Sequence, residues 1–250
     1  MLLRELIYGL LPYSVHQKIV SWKCKFEKQD NNLIENHLAL YPPSLDINKV
    51  VRDDLDKCVA FLPYCAKPLG DHACPVSDRE HKRKNQKCIK VSGGKCTVPC
   101  SLGNMVDILL KHGFTKDQIF IIDRDSNLFP WLKQKRAEGY EYFMPGTGCK
   151  YGVSYALDYI GGKLGYKGCI AFVDDFCPED KDNGVCKCMN DYLAMEGIDK
   201  GKRTKVHEGT VLLMDRILSG NYQGTKADSN SSLHKNELPS GNDHSAFHGY

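Results

Sequence analysis

The chain has 250 residues, 34 Lys and Arg against 31 Asp and Glu, a formal net charge of +3 and 42% hydrophobic residues. A chain of that length buries about three quarters of the surface it exposes when unfolded, so it forms a core without disulfides or metal, and its 12 cysteines need another reason. A charge so near zero speaks against nucleic acid as a partner, composition excludes collagen-like and coiled-coil classes, and no run of 18 apolar residues marks a membrane-spanning helix.

Residues 1–43 come first. Leu3, Leu6, Ile7 and Leu10 follow the i, i+3, i+4, i+7 spacing of one helix face, and Pro12 ends that helix. The segment reads as one or two amphipathic helices, whose contact with a membrane is at most peripheral, closed by a Tyr41-Pro42-Pro43 linker. Glu5 precedes the apolar run 6–11 and no small-residue cleavage site follows, so a cytoplasmic chain is expected. In a reducing compartment, irregularly spaced cysteines signal metal or redox chemistry before disulfides.

Residues 44–218 form the expected cysteine-rich α/β domain. Short apolar runs at 58–62, 119–122, 141–144 and 168–173 read as four strands. Between them lie helices at 101–112, with Leu102, Met105, Val106, Leu109 and Leu110 on one face and Ser101 as N-cap, at 127–138, and at 149–164 with Val153, Ala156, Leu157, Ile160 and Leu164 facing inward. Strands alternating with helices imply a parallel, Rossmann-like sheet flanked by helices. A loop at 197–205 precedes a last helix at 206–218, packing through Val211, Leu212, Met214 and Leu218. Residues 219–250 are polar and nearly free of aliphatic side chains, the composition of a disordered tail in which His234, His244 and His248 are solvated.

In a parallel sheet the carboxyl ends of all strands meet at one edge, where ligands bind. Cys65 follows the first strand, Cys149 the third, and Cys177, Cys186 and Cys188 the fourth; Cys96 and Cys100 precede a helix whose N-terminus returns to that edge, and Cys74 and Cys88 lie in the long loop between. These nine are the candidate metal ligands. A helix N-terminus lowers a nearby thiol's pKa, an effect expected at Cys100 and Cys149, and Arg79, Lys82, Arg83, Lys84, Lys87 and Lys95 would add positive charge. Cys24, Cys58 and Cys169 read instead as structural thiols. The chain has no Cys-x-x-Cys, its nearest pairs being Cys96-x3-Cys100 and Cys186-x-Cys188, which lowers the case for a zinc ribbon. Gly146, Thr147 and Gly148 read as a turn between strand and helix that could hold a cofactor phosphate on its amides, although they match no dinucleotide fingerprint. Asp123, Asp125, Asp174 and Asp175 stand at strand ends as candidate acids, bases or helix caps.

Leu62-Pro63-Tyr64-Cys65, then Cys74-Pro75, Cys88 and Gly94-Lys95-Cys96, then Met144-Pro145-Gly146-Thr147-Gly148, and the strand 170–173 followed by Cys177 together resemble the uncharacterised archaeal and bacterial family called domain of unknown function 116, over residues 61–218. This chain departs from that pattern in the wide spacing of Cys88, Cys96 and Cys100 and in having Cys186 and Cys188. The family name supplies no reaction. The thiols therefore carry the expectation: one or two iron–sulfur clusters at the sheet edge, serving a redox or small-molecule reaction with a redox partner. The alternative is a structural zinc module that binds a partner protein.

Overall fold

The computed structural model describes residues 38–68, 73–77, 85–148, 159–173 and 208–223, together with residues 15, 153, 156, 157, 181, 182, 185, 186 and 206. The expected helices of 1–37, the loop 197–205 and the tail beyond 223 lie outside the described residues, apart from Val15. Among the described residues, no helix is long and apolar enough to cross a membrane.

The chain is an α/β protein built on a five-stranded sheet in the order β1-β5-β4-β2-β3. The four expected strands are present as β2 (Cys58–Pro63), β3 (Ile119–Ile122), β4 (Tyr142–Gly148) and β5 (Lys167–Phe172), and they run parallel. The sheet as a whole is mixed, which corrects the parallel expectation. β1 (Leu38–Tyr41) pairs antiparallel with β5 in a segment assigned above to helix and linker. Its four residues are too few to show a strand period against a helical background.

Side chains on β2 alternate between two buried faces. Cys58, Ala60 and Leu62 join one cluster, whereas Val59 and Phe61 join another. The first face is covered by α1 (Ile47–Asp53), α2 (Ser101–Lys111) and α4 (Glu208–Leu218); the second by α3 (Asp125–Ala137) and by Val153, Ile160 and Tyr166. Burial on both faces explains why the strands are almost continuously apolar.

The helices expected at 101–112, 127–138 and 206–218 are present with different details, whereas the one expected at 149–164 lies partly outside the described residues and is described over Tyr159–Lys163 as a π-helical turn. α2 buries Leu102, Met105, Val106 and Leu109, but Leu110 is exposed; α4 buries Met214, Ile217 and Leu218, while Leu212 is 63% exposed. α3 starts at Asp125, earlier than expected, and takes Pro130 into its exposed side. Gly139 ends it at φ +100°, a conformation few residues other than glycine adopt. Val153 and Ile160 face inward as expected. Tail residue Tyr222 docks on α1, its amide donating to Asn48 Oδ1 at 3.0 Å and its carbonyl accepting from Asn48 Nδ2 at 2.7 Å. The globule therefore continues past Leu218.

From β2 the chain crosses over α2 to β3 on one side, then returns over α3, on the opposite face, to β4 on the other side. The strand order thus reverses between β2 and β4, whose carboxyl ends are the usual ligand position in such sheets. The segment leaving β2 at this point carries most of the described cysteines.

Candidate metal centre

β2 ends in the tight turn Tyr64–Ala66, closed by the Lys67 amide donating to Tyr64 O at 2.9 Å. Cys74 begins a second turn, with Ser77 N–H donating to Cys74 O at 2.9 Å. Cys88 begins a third, in which Ser92 N–H returns to Cys88 O at 3.2 Å and Gly94 N–H to Ile89 O at 2.9 Å. Gly93 supplies the positive φ of +82° that this reversal needs. Lys90 then anchors the turn to α2 through its ion pair with Asp107.

These turns bring Cys74, Cys88, Cys96 and Cys100 around one cavity of about 20 Å³. Its other walls include Pro68, Pro75, Ile89 and Leu102. Each of the four thiols is partly buried. Cys100, and not Ser101, caps α2: its sulfur accepts the Gly103 N–H at 3.3 Å and donates to Ala66 O at 3.8 Å. The contact with Ala66, just beyond β2, places the helix N-terminus at the carboxyl edge of the sheet, as expected from an antiparallel crossover. Among the described residues, no three Cys, His, Asp or Glu side chains stand together as metal ligands would. The four thiols share a cavity without being closed on a point.

The expected lowering of the Cys100 pKa is not what the site produces. Burial raises it above the ordinary thiol value, against the amides of Gly103 and Leu102, and Cys74 and Cys88 raise it further. Desolvation, with the neighbouring thiols, outweighs the two amides at the helix N-terminus.

The other candidates fall elsewhere. Cys65 sits half-buried in the turn after β2 and does not line the cavity. Cys186 belongs to a two-stranded hairpin of β6 (Lys181–Asp182) and β7 (Val185–Cys186). Cys24, Cys149, Cys177 and Cys188 lie outside the described residues. Cys58 and Cys169 are fully buried core thiols, in line with the sequence reading.

Gly146, Thr147 and Gly148 are not a turn. They are strand residues of β4, paired with Ile170, Ala171 and Phe172 of β5. Gly146 is glycine because the Phe61 ring crosses it, so that a Cβ would stand 2.3 Å from Phe61 Cε2. The Thr147 hydroxyl is fully buried and donates to Phe61 O at 3.3 Å. Pro145, which has no amide, falls where the register of β4 shifts, and this irregularity gave the sequence its turn-like look. Buried and paired in the sheet, Gly146 and Thr147 do not form the open nest of amides that a phosphate requires.

Sequence reasoning missed Lys67. It is completely buried, and its Nζ donates to Asn85 O at 2.7 Å and Asn85 Oδ1 at 2.8 Å. Burial lowers its pKa to about 8, while Cys74, Cys88, Cys100 and Asp123 act to raise it. Of the basic residues invoked above, Lys87 and Lys95 are exposed, and 79–84 lie outside the described residues. No feature of Cys65-Ala66-Lys67-Pro68 marks the lysine as buried, since a long loop follows it. Asp123 closes the same corner from the end of β3. It is 8% exposed and accepts from Gln86 Nε2 at 3.1 Å, Asn127 Nδ2 at 2.9 Å and the Arg124 amide at 2.9 Å. Asp125 opens α3 as a helix-start residue, and Asp174 and Asp175 lie outside the described residues.

No family model, no curated protein and no solved structure matches the chain.

Proposed function

We propose that the chain is a metal-binding protein whose centre is the thiol set Cys74, Cys88, Cys96 and Cys100. The observation that carries this reading is the convergence of the four thiols, from two loop turns and a helix N-terminus, on one small cavity. Four thiolates complete the coordination of a soft cation. Because the thiols are not closed on a point, binding would draw the turns together and order them, the usual coupling of metal affinity to folding.

The cavity volume of about 20 Å³ is close to that of a single water-sized sphere, so one ion fits the described arrangement. Zinc, held structurally, suits it. An iron–sulfur cluster is the second reading: its sulfide cage requires the walls to part, but its anionic charge matches the buried Lys67 and the N–H···S bond at Cys100, both of which stabilise such clusters. Under that reading the centre serves a redox or small-molecule reaction. The resemblance to domain of unknown function 116 is compatible with either.

Anaerobic purification followed by metal and sulfide analysis decides between them. Colourless protein with one zinc supports the single-ion centre, and brown protein with stoichiometric iron and sulfide supports the cluster. Protein that takes up neither metal, and forms reversible disulfides among these four cysteines, overturns both in favour of thiol redox chemistry.

A further inference from the structure

Two of the four cavity thiols belong to one short turn. Cys88 begins it, the Ser92 amide and hydroxyl both donate to Cys88 O, at 3.2 and 3.1 Å, and Gly94 N–H closes it on Ile89 O at 2.9 Å. Cys96 follows two residues later. None of the residues 88–96 is fully buried, so packing alone holds the turn weakly. Lys90 ties it to α2. Its Nζ passes Gly103 O at 3.5 Å and ends on the carboxylate of Asp107, four residues further along the same helix face. A Cβ at Gly103 would already stand 3.4 Å from Lys90 Cε and Nζ, so glycine lets the lysine lie against the helix. Gly103 also donates its N–H to Cys100 Sγ at 3.3 Å, and Lys90 and Gly103 both line the thiol cavity. The lysine thus fastens the Cys88 turn at the residue that caps the Cys100 sulfur. Its side chain is 19% exposed and that of Asp107 54%, so the outer end of the contact is open to solvent.

We infer that Lys90 is a positioning residue of the thiol centre, its ion pair with Asp107 latching the Cys88 turn to α2 so that Cys88 and Cys96 meet Cys100 at one cavity. The inference rests on the metal-centre reading above and deepens it. Lys90 acts through its hold on the turn and not as charge offered to the sulfurs, because a carboxylate already matches its ammonium. Cys74 arrives from a different turn, closed by Ser77, and stands outside the latch. A metal that draws the turns together has less left to order when three of its four ligands are already set, and without the latch that ordering falls to the metal.

The test uses the full chain, reduced and metal-free under anaerobic conditions, titrated with Co(II) and with Zn(II) in competition with a chelator. Wild-type protein is expected to show the thiolate-to-cobalt charge-transfer band of a tetrahedral sulfur site. Asp107→Asn, on the solvent side and outside the cavity wall, should keep the shape of that band while affinity for both ions falls about 5-fold, the most that a partly exposed ion pair is usually worth. Lys90→Met should lose as much, and the double variant no more than either, since all three remove one interaction. Asp107→Glu, which keeps the pair, should bind nearly as wild type, and it carries the comparison with Asp107→Asn where Lys90→Met fails to fold by circular dichroism. In metal-free Asp107→Asn, iodoacetamide should label Cys88 and Cys96 faster than in wild type while the core thiols Cys58 and Cys169 stay unlabelled. Folded Asp107→Asn with wild-type affinity would overturn the inference while leaving the metal centre standing. So would losses that add in the double variant, because two separate effects would then be at work, or labelling that also rises at Cys58 and Cys169, because the whole fold would then have loosened. Wild-type protein with no thiolate–cobalt band would overturn the metal-centre reading, and the inference with it.

Discussion

Replacing Gly146 by alanine tests the placement that separates this sheet from a phosphate-binding fold. The added methyl would lie 2.3 Å from Phe61 Cε2 and 2.4 Å from Cζ. Carbon atoms prefer about 3.5–4.0 Å, so the ring or the strand must move by more than about 1 Å. Neither moves freely. Phe61 is 3% exposed and packs against Phe143 with ring centroids 5.8 Å apart, and its strand is held by β3 on one side and β4 on the other. Overpacking of this kind costs about 1–3 kcal/mol, and the confinement argues for the upper half of that range. Urea unfolding should show a lower midpoint with an unchanged slope. Phe61→Leu removes the ring atoms that collide, at a cost of its own of about 1–2 kcal/mol, so the double variant should be more stable than the sum of the two losses by about 1 kcal/mol or more. If Gly146→Ala proves neutral, the ring does not cross this residue, and residues 146–148 regain their standing as a turn with amides to offer an anion.

The remaining expectations concern the periphery and the core thiols. Deleting residues 224–250 should leave the melting temperature unchanged, whereas deletion from Ser219 also removes both Asn48–Tyr222 hydrogen bonds and should cost about 1–3 kcal/mol in a thermal melt. Asp215 on α4 accepts from His112 at 2.7 Å and from Lys111 at 3.0 Å at the end of α2, and these bonds hold its carboxyl below the ordinary 3.8. Its contribution is therefore complete above about pH 3.8 and is lost as pH falls through the lower folded value; Asp215→Asn should flatten that part of an acid-denaturation curve and, the pair being exposed, cost under about 1 kcal/mol at neutral pH. Burial pushes the Cys58 thiol up to about 12 and also raises that of Cys169. Iodoacetamide at pH 8 should leave both unmodified in folded protein, and mass spectrometry showing early labelling at either would mean that the sheet opens there.

What could be read from the sequence divides along a physical line. Strands β2 to β5 and helices α2 and α3 were legible because each is specified by its own side chains, through apolar runs bounded by turn residues and a helical stripe ended by glycine. β1 was not, since four residues gain strand character only by pairing with β5. The Pro145-Gly146 step was read as a turn for the opposite reason: residues that punctuate loops here serve a register shift and a ring contact made by distant Phe61. Within the candidate site, the arrival of Cys100 beside the end of β2 followed from topology alone. The effect of burial on its pKa did not, because desolvation depends on neighbours that local sequence does not reveal. Lys67 was invisible on the same ground, as nothing in a single lysine tells whether its ammonium points to water or to oxygens such as those of Asn85.

The location of the thiols follows from where the core stops. The sheet and its helices bury two apolar clusters and need no metal to do so. The described residues from Tyr64 to Cys100 differ: only Tyr64, Ala66 and Lys67 are buried, and of the rest Cys88, Val91 and Cys100 only rest on the core's edge. Fixing the backbone of each such residue costs about 1–2 kcal/mol, which apolar burial here does not offset. Hydrogen bonds of its turns and the Gln86–Asp123 bond to the end of β3 recover part of that cost. A metal held by thiols from two turns and a helix N-terminus would recover more, because it links points far apart along the segment and so restricts the loop's unfolded states most. The four cavity cysteines thus stand in a described stretch where a cross-link would contribute stability that packing does not.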